Sequence, residues 1–87
     1  MSRLEEKLIE LGYTYDRNVY WIKGKIYLYM SPMKTIIEKW CFIKVNFIIQ
    51  NRNDIQELHD SIEYYDKQLK IMKKDLAILK EIEQCQD

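Results

Sequence analysis

The sequence predicts an α+β fold: a short N-terminal helix, a three- to four-stranded antiparallel sheet, and one long C-terminal amphipathic, coiled-coil-like helix. Residues 2–12 carry a capped helical pattern, and residues 13–50 are rich in Tyr, Trp, Ile, Val and Phe, which suit a pleated, half-buried surface. From residue 54 onward there is neither Gly nor Pro, and apolar residues recur in steps of three and four. A chain of 87 residues builds one core, so residues 1–87 are read as one domain, divided into helix (1–12), sheet (13–50) and long helix (54–84).

The first helix follows from Ser2 and Glu5, spaced as a capping box, from Leu4, Leu8, Ile9 and Leu11 on one face, and from Gly12 at its C-terminal end. In the sheet, Asp16-Arg17-Asn18 and Lys23-Gly24 are turn signals, and Val19–Ile22 and Lys25–Met30 read as hairpin strands. Ile26, Leu28 and Met30 then share one face of the second strand, and Lys25, Tyr27 and Tyr29 the other. After Ser31-Pro32, residues Met33–Trp40 read either as another strand, which we favour, or as a helical turn capped by Ser31. Cys41–Ile49 alternates strictly, with Cys41, Ile43, Val45, Phe47 and Ile49 apolar throughout, and is expected to be the best strand in the chain.

Asn51-Arg52-Asn53-Asp54 breaks the pattern and offers Asn53 or Asp54 as a helix cap. The stripe that follows is Ile55, Leu58, Ile62, Tyr65, Leu69, Met72, Leu76 and Leu79, widened by Tyr64, Ile71, Ile78 and Ile82 into an arc broader than a two-stranded seam needs.

Little in the chain is suited to catalysis. It holds one histidine, His59, expected on the helix surface, and no glycine-rich phosphate loop, and its two cysteines, Cys41 and Cys85, are too far apart for a zinc or disulfide pattern. The acids of both helices follow solvent-facing spacing. We therefore expect no enzymatic activity, no cofactor and no metal. Without an apolar run of roughly 20 residues or a signal-like N-terminus, we expect no membrane span and a cytoplasmic location.

The formal net charge is zero, but residues 1–53 hold nine Lys/Arg against five Asp/Glu, and residues 54–87 hold five against nine. Aromatic and basic residues interleave in the sheet region. If that surface holds a ligand or single-stranded nucleic acid, the expected face is Trp21, Lys25, Tyr27, Tyr29 and Lys44, with Ile26, Leu28, Ile43, Val45 and Phe47 facing the core. The long helix should outrun the short strands, leaving Leu69, Met72, Leu76, Leu79 and Ile82 as the interface of a homodimer. Residues 54–66 carry five acids and no Lys or Arg, whereas 67–80 carry five lysines and one acid, which favours antiparallel pairing.

Two segments, Leu4-Glu5-Glu6-Lys7-Leu8-Ile9-Glu10-Leu11-Gly12-Tyr13 and Ile49-Gln50-Asn51-Arg52-Asn53-Asp54-Ile55-Gln56-Glu57-Leu58, resemble small accessory proteins of bacteriophages and AT-rich mobile elements. The resemblance implies a phage protein that binds a host or defence component, in the manner of inhibitors of CRISPR effector nucleases. The expected function is a protein-interaction module with a larger protein partner. Nucleic-acid binding on the sheet is the alternative.

Overall fold

The structure is a computed structural model that describes residues 2–17, 19–45 and 52–84. In chain order the elements are helix α1 (Arg3–Glu10), strands β1 (Thr14–Tyr15), β2 (Tyr20–Lys23) and β3 (Ile26–Tyr29), a single 3-10 turn (Glu38–Trp40), strand β4 (Phe42–Ile43) and helix α2 (Arg52–Gln84). The four strands form one antiparallel sheet in the order β1-β2-β3-β4. This is the predicted α+β class, with short N-terminal helix, antiparallel sheet and long C-terminal helix.

α1 begins as the sequence predicts. The Ser2 hydroxyl accepts from the Glu5 backbone N–H (3.2 Å) and the Glu5 carboxylate accepts from the Ser2 backbone, closing the capping box. At its other end Gly12 adopts φ +98°, and the N–H groups of Gly12 and Tyr13 bond back to the carbonyls of Ile9 and Leu8 (both 3.0 Å). That left-handed residue, which an L side chain adopts only under strain, turns the chain sharply into β1 and brings Tyr13 under the helix.

A two-residue turn, Gly24-Lys25, joins β2 to β3 and pairs Lys23 with Ile26, Ile22 with Tyr27, Trp21 with Leu28 and Tyr20 with Tyr29. Paired residues share a face, so Trp21 and Lys23 lie with Ile26 and Leu28 on the inner side, while Tyr20 and Ile22 lie with Tyr27 and Tyr29 on the outer side.

Met33–Trp40 forms neither the strand we favoured nor a helix capped by Ser31. Ser31 instead closes a tight turn. Its N–H donates to the Thr35 carbonyl (2.8 Å), its carbonyl accepts from Lys34 N–H (2.9 Å), and Lys34 takes φ +64°. One bridge, Met30 to Ile36, is all the pairing that follows before the 3-10 turn begins.

β4 is also shorter than expected. It runs antiparallel down β3, pairing Phe42 with Tyr27 and Ile43 with Ile26, and the Lys44 N–H makes one more bond, to Lys25 O (2.8 Å). There β3 ends in its turn, so the partner strand is exhausted. Val45, expected in the core, is 50% exposed, whereas Ile43 and Cys41 are half-buried and Ile43 packs on the core. The Phe47 and Ile49 part of that expectation lies outside the described residues.

α2 is 33 residues long, about 50 Å at 1.5 Å per residue, and sets the 54 Å long axis of the molecule. Asn53 and Asp54 fall within its first turn, so neither is the N-cap residue. Met72, Leu76 and Leu79 pack with Leu4 and Leu8 of α1 and with Trp21, Ile26 and Leu28 of the inner sheet face in one apolar core. Glu83 accepts the Ile36 backbone N–H, and Lys80 pairs with Glu38, so the C-terminal half of α2 is tied down along its length. None of the described helices is long and apolar enough to cross a membrane.

Candidate interaction surfaces

A buried polar triad anchors α2. Asp75 points into the core at 4% exposure, where its Oδ2 accepts from the Tyr13 hydroxyl and from Lys23 Nζ, both at 2.7 Å. Lys23 also donates to the Leu11 carbonyl (3.1 Å) and lies 4.6 Å above the Tyr13 ring. The carboxylate thus meets a hydroxyl and an ammonium, and three elements converge on it: the loop after α1, β2 and α2. Burial, with the neighbouring Asp75 carboxylate, pushes the Tyr13 phenol well above its ordinary range.

A phenol held protonated in the fold contributes stability that is whole below the unfolded pKa near 10 and is lost as pH rises beyond it. Melting curves between about pH 9 and 11 should therefore fall more steeply for the native chain than for Tyr13→Phe. Parallel slopes would show that Tyr13 is not held this way.

The outer face of the sheet is aromatic. Tyr27 stacks on Phe42 (centroids 5.1 Å, interplanar 7°), Tyr20 meets Tyr27, Tyr29 and Phe42 edge-on at 5.6–5.9 Å, and Tyr29 meets Trp40 at 4.6 Å. Lys44 lies 5.9 Å from the Tyr27 ring and Lys39 5.5 Å from the Trp40 ring. Of the five residues the sequence placed on a ligand face, Tyr27, Tyr29 and Lys44 belong to this surface, and Lys25 sits in the turn at its end. Trp21 does not. At 5% exposure it is a core residue opposite Leu28, because the two-residue turn fixes the parity of β2. Tyr20, Trp40 and Phe42 take part although the sequence reading did not assign them.

Between α1 and the edge of β1 lies an open cleft of about 530 Å³, with Ile9, Tyr15, Trp21 and Met30 as walls and Glu5 and Lys34, 3.6 Å apart, at its rim. His59 is exposed on α2, and among the described residues no group of His, Cys, Asp or Glu is placed to hold a metal ion.

The third surface is α2 itself. Met72, Leu76 and Leu79, predicted as dimer contacts, are consumed by this chain's own core, and Ile82 packs against it half-buried; only Leu69 remains open. The overhang lies at the opposite end of the helix from the one expected. α2 docks through its C-terminal half, and residues 52–71 project as an arm about 30 Å long. The stripe does not stop where the body stops: Ile55, Ile62 and Leu69 are exposed and Leu58 and Tyr65 half-buried, with Ile62 54% open. Beside it Glu63–Lys67 and Asp66–Lys70 form exposed i,i+4 ion pairs (3.8 and 3.2 Å), each adding only tenths of a kcal/mol by ~0.3–0.5 estimates.

Comparison with protein-family models, with curated proteins and with solved structures finds no match to this chain.

Proposed function

We propose that the chain is a non-enzymatic interaction module that acts by laying the arm of α2 against another protein surface. One observation carries this reading: the apolar stripe of α2 continues for about four turns beyond the body, and nothing among the described residues covers it. Helices in proteins draw most of their stability from packing of an amphipathic face rather than from intrinsic propensity. An accessory protein of the phage type that the sequence resembles would use such an arm to occupy a surface of a host or defence component in the cytoplasm.

Site-specific photo-crosslinking tests the reading. A photoreactive residue at Ile62 should capture protein, whether another copy or a different chain, while the same residue at Lys67, on the opposite side of the arm, should capture far less. Equal or absent capture at the two positions would refute it.

A second reading, single-stranded nucleic-acid binding on the outer sheet face, is favoured by the five-ring array with lysines over Tyr27 and Trp40. Mobility shifts with single strands that weaken steeply with salt, and are lost in Trp40→Ala with Phe42→Ala, would support it; no shift at low salt excludes it.

A further inference from the structure

We infer that the surface taken by the arm is the arm of a second copy of this chain, the two helices running antiparallel about a two-fold axis between residues 63 and 64. This rests on the interaction reading above and adds the partner, the sense and the register.

The body sets the register. Within α2 the first buried residue is Met72, and from there on the stripe is roofed by α1 and the sheet. A second helix lying on the stripe can advance only to that edge. The longest pairing that stops there sets Leu58 against the partner's Leu69 and Ile62 against the partner's Tyr65, each pair repeated by the axis, and brings Ile55 level with Met72 at the rim of the partner's body. These are a-to-d pairs, the layers of an antiparallel coiled coil. Leu58, Ile62, Tyr65 and Leu69 fill the seam, and the exposed Tyr64 and Ile71 flank it.

The same edge excludes the parallel sense. Two parallel arms would reach their C-terminal halves at the same level, and each carries its body on the very face that meets the other helix, so both bodies would claim one space. Antiparallel arms put the bodies at opposite ends. Charge agrees with the sterics. Residues 54–60 of one arm, with three acids and no Lys or Arg, lie level with the partner's residues 67–73, with three lysines and no acid, whereas parallel arms would hold acidic stretch beside acidic stretch.

Light scattering after size exclusion should return twice the 10.7 kDa chain mass, and Ile62→Glu with Tyr65→Glu should return one chain mass with the body's melting transition retained, since neither residue is in the core. Spin labels test sense and register in the otherwise intact chain, with Cys41→Ala and Cys85→Ser removing the native thiols. Cysteines at Asp60, Lys67 and Lys74 lie on the outward side of α2, and the axis predicts axial label separations of roughly 10, 10 and 32 Å. Equal distances for 60 and 67 with a clearly longer one for 74 support the inference. Three equal distances, or a dimer that survives the double glutamate substitution, overturn it. A native chain that is monomeric at high micromolar concentration also overturns it; if Ile62 then still crosslinks to a different protein, the interaction reading stands without the second copy, and if it crosslinks to nothing both fall.

Discussion

Asp75→Ala is expected to lower the stability of the chain by about 2–4 kcal/mol, the cost of leaving a largely buried ammonium and a buried hydroxyl without their shared acceptor. For a domain of this size that is a fall in Tm of roughly 10 °C or more. The penalty comes from orphaning partners rather than from a large net contribution of the ion pair. Removing all three polar groups, with Tyr13→Phe, Lys23→Met and Asp75→Leu, should therefore recover much of the loss. A thermal melt of the single and triple variants checks both halves of the statement. A single variant within about 0.5 kcal/mol of the native chain would mean that Lys23, itself 28% exposed, escapes to water at little cost.

Leu79→Ala should cost about 3–4 kcal/mol, because Leu79 is fully buried where α1, the sheet and α2 meet and its removal leaves a cavity that close-packed neighbours fill only in part. Ile62→Ala, seventeen positions earlier on the same stripe, should cost the folding of the body less than about 0.5 kcal/mol. Denaturant melts at low protein concentration, where association does not contribute, measure both. The contrast separates two jobs that the heptad pattern gives to one helix: the C-terminal half is core, and the N-terminal half is surface awaiting a partner.

That division was not legible in the sequence, and the reason is physical. Apolar residues at a and d report that a face is to be buried, without reporting by what. Leu69 and Leu79 look alike in the pattern, yet one is exposed and the other sealed under α1. The ends of α1, with the capping box at Ser2 and the left-handed Gly12, were legible, because each is a local matter of hydrogen bonds and allowed φ.

The parity of β2 was available but missed. A two-residue turn at Gly24-Lys25 pairs Lys23 with Ile26, and once Ile26 faces the core, Trp21 must as well. That arithmetic also sends Lys23 inward, which demands an acid partner. Which acid was not legible, because Asp54 shares the heptad position of Asp75 and Glu83 continues the Ile62, Leu69, Leu76 row; the docking of the C-terminal half of α2 on the sheet selects Asp75. Also beyond the sequence was the length of β4: Cys41–Ile49 alternates well, but a strand ends where its partner does, and β3 stops at its own turn.

Amide hydrogen exchange read residue by residue along α2 distinguishes a helical arm stabilised by a partner (residues 52–71) from a segment held by the body (residues 72–83). Met72–Glu83 should show protection close to that of global unfolding at every concentration. Ile55–Leu69 should show protection that rises with protein concentration in the native chain and is absent in Ile62→Glu with Tyr65→Glu. Uniform protection along the whole helix in both proteins, independent of concentration, would rule out this division of α2.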